Sequence, residues 1–303
     1  MADAVAADAD GIFDLYQSVL PRLPVPGRRG AAVPAANLGE IAQPFDLILL
    51  DAFGVLNIGE AAIAGAAERV AALRRAGKRV MVVTNAASYP KRHMMTRYRN
   101  LGFDFEAEDI LSSRETLLAA LADQPPTAWG VMADPRWGLE EFEHLDVSAL
   151  ANAPGGYDRA EGFILLGAGG WSETRHALLT RSLAARPRPV LVGNPDIVAP
   201  RDHGFTFEPG HFAHRLAGLA GVAPRFYGKP FAAVFDAALR RAPGISRDRV
   251  LMVGDTLHTD VLGGLAAGLR TALVTDTGSL HRNDVAGDIE RSGIVPDYIL
   301  PRI

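Results

Sequence analysis

The sequence predicts an α/β protein built on a doubly wound parallel sheet and interrupted by a second α/β module. Three observations predict it. Short apolar runs, LILL at 47–50, RVMVV at 79–83 and VLMVG at 250–254, are too short for helices and lack the polar alternation of a half-exposed strand. They read as strands buried on both faces, as in the middle of a parallel sheet. Each runs directly into a polar residue: Asp51, Thr84-Asn85 and Asp255. The strand–helix–strand pattern of the first half stops after Asn85 and resumes near residue 226, so two halves of one sheet flank an insertion.

In chain order, residues 1–40 form an N-terminal extension rich in Ala, Pro and Gly. IFDLYQSVLPRL within it predicts a short amphipathic helix broken at Pro21, and residues 24–37 read as linker. The core begins at about 41. Its first strand, 46–50, is followed by helical spacing of Ile63, Ala66, Ala67, Val70 and Leu73, with Gly77 as the stop. The strand at 79–83 completes a βαβ unit, which makes the two strands parallel neighbours. Core residues are 41–87 and 226–303, and the insertion is 88–225. Within the insertion, helices are expected at 90–101, 113–121 (after a Ser112-x-x-Glu115 start) and 172–185, and strands at 129–133, 162–166 and 190–192. Residues 194–209 lack periodicity and read as a loop. The core then resumes with a short strand from Arg225 ending in Lys229, a helix at 231–241, the strand 250–254, a helix at 259–268 and strands at 271–275 and near 297–300.

Composition excludes several function classes. With 303 residues, 48% hydrophobic and 22% charged, the chain has an ordinary globular balance. Its net charge of −4 is spread in mixed signs, so no nucleic-acid face or anionic-membrane anchor is expected. The absence of cysteine removes thiolate catalysis, disulfides and Cys-ligated zinc. No apolar run is long enough to span a bilayer, and MADAVAADADG lacks the basic start and apolar core of a signal peptide, so a cytoplasmic protein is the expectation.

Four polar clusters fall at the carboxyl ends of the predicted parallel strands: Asp51, Thr84-Asn85, Lys229, and Asp255 with Asp260. Open α/β sheets bind their ligands there. Singly, each has an ordinary reading as a turn, a helix cap or a solvated charge. Together they supply a nucleophilic carboxylate, groups to hold an oxyanion, an ammonium, and carboxylates for a cation. Their order resembles the haloacid dehalogenase superfamily: DAFGVL is similar to its first motif, VVTNAAS to its second, GKP to its third and MVGDTLHTD to its fourth. The insertion lies between the second and third motifs, which resembles the class IIA branch of p-nitrophenylphosphatase-like and sugar-phosphatase-like members with an α/β cap. Asn194-Pro195-Asp196 also resembles a recurring feature of that branch.

The resemblance implies a phosphatase. Asp51 would attack phosphorus and form an aspartyl-phosphate, which splits one hard displacement into two easier ones. Thr84 and the amide of Asn85 would hold phosphoryl oxygens, and Lys229 would neutralise charge. Mg²⁺ would be held by Asp51, the main-chain carbonyl of Phe53 and Asp255, with Asp260 supporting its water shell. Hard oxygen donors suit Mg²⁺. Cap-loop residues Arg136, Trp137, Asn194, Asp196 and His203 are candidates for substrate contact. A small phosphorylated molecule is the expected ligand, and pairing of caps in a homodimer the expected assembly.

One position departs from the pattern. Family phosphatases carry a second Asp two residues after the nucleophile as general acid and base, and here that residue is Phe53. A phenyl ring cannot transfer a proton, and that contribution is typically about 10²–10⁴-fold. Three readings follow: a phosphatase with another proton donor, His258 being nearest in sequence, or with a leaving group that needs little protonation; a phosphate- and metal-binding module with little turnover; or a metal-independent 2-haloacid dehalogenase. The placement of the insertion and the retained Asp255 and Asp260 argue against the last.

Overall fold

The computed structural model describes residues 4–5, 9–201, 204–278 and 284–303. The chain divides into two compact units: Ala7–Thr84, Arg92–Leu111 and Lys229–Ile303 form one, and Met1–Ala6, Asn85–Lys91 and Ser112–Gly228 the other.

The first unit is organised on a seven-stranded sheet in the order Val33–Pro34, Tyr298–Leu300, Arg270–Val274, Val250–Gly254, Leu47–Leu50, Arg79–Thr84, Ile110–Ser112. The pairings from Val33 through Arg79 are parallel. Leu47–Leu50 lies between Val250–Gly254 and Arg79–Thr84, so the chain reverses its direction of travel across the sheet at this strand. Carboxyl-end crevices at such switch points are where ligands bind. The apolar runs form strands because helices cover both faces, and Leu47, Ile48, Leu49 and Leu50 are all fully buried. Leu47 and Leu49 pack with Met81, Val83, Val250 and Met252 against Val234, Phe235 and Ala238 of helix Ala232–Arg240. A separate cluster joins Leu257, Val261, Leu262, Leu265 and Leu273 to Phe13 of helix Ala9–Val19. Burying such side chains contributes roughly 1.5–3 kcal/mol each.

The second unit holds a five-stranded parallel sheet in the order Arg225–Phe226, Val190–Val192, Gly162–Leu165, Trp129–Met132, Val147–Ala149. Alternate residues of its central strand enter different cores, Phe163 and Leu165 with Leu179, Leu183 and Phe212, and Ile164 with Leu117, Trp129 and Phe142. A small antiparallel sheet of Ala4–Val5, Gly204–Phe207 and Val198–Arg201 completes it.

Four sequence expectations change. Residues 194–209 are not a plain loop, because Val198–Arg201 and Gly204–Phe207 pair as antiparallel strands. The linker contains Val33–Pro34, which pairs with Tyr298–Ile299 at the edge of the first sheet. Pro34 is tolerated there because an edge strand has one side without a partner. The strand expected to carry Lys229 is shorter: Arg225–Phe226 pairs with Leu191–Val192 in the second unit, and Lys229 begins the first unit's return instead of ending one of its strands. Lastly, residues 92–111 fall with the seven-stranded sheet although the sequence placed them after the boundary at 88. Buried Tyr98 packs there on Phe103 and Phe105.

Candidate active site

Asp51 follows Leu50 directly, and its main-chain N–H donates to the Val253 carbonyl at 2.9 Å, which ties it to the neighbouring strand. Register then places the other polar strand ends beside it. Leu50 lies opposite Val82 on one side and Val253 on the other, so Thr84 and Asp255 each sit two residues beyond that level. Thr84, Asp255 and Asp260 are buried, while the Asp51 side chain keeps 15% of its exposure.

Lys229 is the hinge of the cluster. Its Nζ lies 2.6 Å from Asp51 Oδ1 and 2.7 Å from Asp260 Oδ1, and its side chain is almost wholly enclosed. Burial opposes its charge, but the two carboxylates outweigh burial and hold its pKa above the ordinary lysine value. Asp260 shifts upward, to about 7, chiefly because it is buried and faces Asp51, with Lys229 pulling the other way. Its Oδ2 accepts from the Thr256 N–H at 3.2 Å and from the Thr259 hydroxyl at 3.4 Å. On Asp51, Lys229 and the N–H of Ala52, at 2.7 Å, both fall on Oδ1.

Ligand oxygens of Asp51, Asp255 and Asp260 lie within 4.8 Å of one another. Three carboxylates drawn so close, with one ammonium among them, fit a hard divalent cation and exclude a soft one. Glycine makes this approach possible. A Cβ on Gly54, whose φ is +77°, would stand 2.6 Å from the Asp255 carboxyl carbon, and one on Gly278 would stand 2.1 Å from Asp255 Oδ2. The Thr277 hydroxyl donates to the Gly54 carbonyl at 2.5 Å and fastens the two glycine turns together. Thr277-Gly278 escaped the sequence reading. Its signal was a polar–glycine turn after the strand at 270–274, a fourth instance of the pattern seen at Asp51, Thr84 and Asp255. Phe53 lies in the turn after Asp51 and makes an isolated bridge to Asn57.

Other sequence candidates are engaged elsewhere. The structure overturns His258 as proton donor: its ring is fully buried, with Nε2 2.9 Å from Gln17 Oε1. Burial lowers its pKa to about 4. The helix expected over 259–268 is also different, being a wide turn at Leu257–Val261 followed by a short helix, Leu262–Ala266. In the second unit, Asn85 Nδ2 donates to Asp196 Oδ1 at 2.7 Å, and Asn194 Oδ1 accepts from the Asp196 N–H at 2.9 Å. Asn194 Nδ2 donates to Glu208 at 3.2 Å, so the buried Asn194 side chain serves its own turn. Arg136 pairs with Asp134 at 2.6 Å, and Trp137 packs edge-on to Tyr89. His203 lies outside the described residues.

With this geometry in place, comparison with known proteins decides the family. Residues 48–144 match the haloacid dehalogenase-like hydrolase model, and residues 226–303 match a model described as HAD-hydrolase-like. The chain is 30% identical over 300 residues to a glycerol-3-phosphate phosphatase of Gallus gallus, covering 91% of this chain and 96% of that one. The chain belongs to the haloacid dehalogenase-like hydrolases. Among solved structures, it is similar to a possible sugar phosphatase from Cytophaga hutchinsonii (TM-score 0.78, 26% identity, 90% of this chain and 98% of that one). It is also similar to a glycerol phosphate phosphatase from Mycobacterium tuberculosis solved in complex with magnesium (TM-score 0.66, 26% identity, 86% of this chain and 76% of that one). Within the family, the protein is a phosphatase-like hydrolase with a Rossmann-like core and a cap, as the four motifs implied. Among the described residues no helix is long and apolar enough to cross a membrane.

Proposed function

We propose that the protein is a Mg²⁺-dependent phosphatase of a small phosphorylated metabolite, acting through an aspartyl-phosphate on Asp51. The observation that carries this reading is the Lys229 ammonium set between Asp51 and Asp260. An ammonium held there offsets the repulsion between Asp51 and a dianionic substrate. Because both contacts fall on Oδ1, Asp51 Oδ2 is the attacking atom. It bonds to phosphorus as the bond to the leaving oxygen breaks, and water then attacks phosphorus and returns the carboxylate. Thr84 and the main-chain amide of Asn85 hold the phosphoryl oxygens.

Asp51, Asp255 and the Phe53 carbonyl would hold Mg²⁺, with Asp260 steadying its waters. The metal supplies charge neutralisation on the transferring phosphoryl group. The relatives' glycerol phosphate and sugar phosphate substrates support a polyol or sugar phosphate here. Phe53 favours a second reading in which phosphate and metal bind but turnover is small. A screen of phosphorylated metabolites with and without Mg²⁺, beside an Asp51→Asn control, tests both. Release of phosphate that needs Mg²⁺ and disappears in the control is expected. Saturable binding of phosphorylated ligands with no release across the panel would select the second reading.

A further inference from the structure

The turn that carries Asp260 is gripped from outside by the N-terminal helix, Ala9–Val19. His258 sits in this turn, three residues after Asp255 and two before Asp260, and is fully buried. Tyr16 stacks on its ring, with centroids 5.3 Å apart and planes 21° from parallel, and Phe13 meets it edge-on at 5.3 Å. Gln17 adds direction. Its Nε2 donates to the Arg291 carbonyl at 2.7 Å, which turns its Oε1 toward His258 Nε2 at 2.9 Å. The amide oxygen only accepts, so His258 carries its proton on Nε2 and donates it to Gln17. The helix itself is anchored: the Arg291 guanidinium lies 4.5 Å over the Phe13 ring and pairs with Asp14.

An apolar clasp would bury the turn equally well, but rings alone allow the imidazole to rotate or slide. A hydrogen bond from an amide locked at its other end fixes both rotation and depth. What it fixes is passed on within two residues, because the Thr256 N–H and the Thr259 hydroxyl, on either side of His258 in the chain, both donate to Asp260 Oδ2. The turn is also unusually wide: the Val261 N–H bonds to the Thr256 carbonyl five residues back. Such wide turns are rare and recur at functional sites.

We propose that Gln17 is a positioning residue of the metal site, which through His258 holds the turn bearing Asp255 and Asp260 in the geometry that binds the cation. The proposal rests on the reading that these carboxylates hold Mg²⁺. It makes the N-terminal extension a working part of the site instead of an appendage.

The test is the Mg²⁺ dissociation constant, measured calorimetrically well below the melting temperature, for the wild type, Gln17→Leu and Asp255→Asn. Gln17→Leu keeps the packing volume and removes the acceptor. Loss of a partner bonded directly to a metal ligand typically weakens metal binding about 10–100-fold, and Gln17 acts one residue further out, at the low end of that range. We expect the wild type to bind, Asp255→Asn to lose binding, and Gln17→Leu to bind ~10-fold more weakly. The two-bond ¹H–¹⁵N spectrum of His258 supplies a readout independent of metal: the Nε2–H tautomer in the wild type, and loss of its hydrogen-bonded signature in Gln17→Leu. An unchanged dissociation constant in Gln17→Leu, with only a lower melting temperature, would mean that the helix merely packs, and would overturn the proposal while leaving the metal reading intact. Absence of Mg²⁺ binding in the wild type would overturn both.

Discussion

In the proposed mechanism, Asp51, Lys229 and Phe53 divide the chemistry among three residues. Lys229 is enclosed between two carboxylates, where an ammonium has no replacement once removed. Lys229→Met leaves Asp51 and Asp260 facing each other, and removal of a single charge-stabilising donor in such a site costs about 10²–10³-fold in kcat. Steady-state phosphate release should fall by that order, and a variant within twofold of the wild type would remove Lys229 from the mechanism. Phe53 makes the opposite prediction. If a missing proton donor limits turnover, Phe53→Asp raises hydrolysis of alkyl phosphates by more than it raises that of p-nitrophenyl phosphate, whose leaving group departs as a stable anion. Parallel rate measurements on the two substrates decide it, and equal effects on both would place the limiting step elsewhere. His258 shows why spacing could not settle this question. Three residues from Asp255 is near in sequence, yet the turn points its ring away into the clasp of Phe13, Tyr16 and Gln17.

At the scale of elements, the strand Val250–Gly254 and the turn after it must deliver two carboxylates in six residues. Gly254 is the constraint. A Cβ there would stand 2.0 Å from the Asp260 carboxyl carbon, so Gly254→Ala drives Asp260 out of place. Overpacking of this kind costs about 1–3 kcal/mol. Chemical denaturation should show that loss, together with weaker Mg²⁺ binding, whereas stability unchanged within a few tenths would show that the turn yields easily. The helix Ser113–Ala122 is simpler. Ser112 Oγ accepts from the Glu115 N–H at 3.2 Å, as its Ser-x-x-Glu start predicts. Ser112→Ala should cost about 1 kcal/mol without touching the site's chemistry.

At the scale of the whole molecule, buried histidines among the described residues make stability depend on acid. Burial lowers His176, His211 and His258 to about 4 each, so the folded protein holds them neutral while the unfolded chain protonates them below about 6.5. Between those values the unfolded state binds more protons, so stability falls as pH falls from about 6.5 toward 4, by up to ~1.4 kcal/mol per pH unit for each histidine. Asp297 acts lower. Burial opposes its charge, but Arg28, Arg270 and the Thr271 N–H overcome it and hold its pKa below the usual carboxylate value. Its contribution is present above the unfolded pKa and is lost only as pH drops through the folded one. Urea unfolding at pH 7, 6 and 5 should therefore show a steady decline, and His258→Phe should flatten it. An unchanged slope in that variant would mean that the ring is already charged when folded.

Much of this was legible in the residues. Buried-strand runs ending in Asp51, Thr84 and Asp255 determined a parallel sheet and the carboxyl ends at which the candidate site residues fall, because strand burial and strand-end polarity are local properties of short segments. That a second module interrupts the sheet was legible for the same reason, as a break in a repeating pattern, although residues 92–111 group with the sheet. The tertiary structure alone decided the rest. Lys229 reaches Asp51 from the start of a returning segment, not from a strand end, and Gln17 meets His258 across 241 positions of chain. Asn194, set beside Asp196 in a suggestive triplet, spends its side chain on its own turn. Such contacts join residues far apart in sequence or compete with nearer partners, and no local spacing encodes which partner wins. DAFGVL determined the strand that ends in Asp51; the packing of the N-terminal helix, the glycine turns and Lys229 decided how that carboxylate is held.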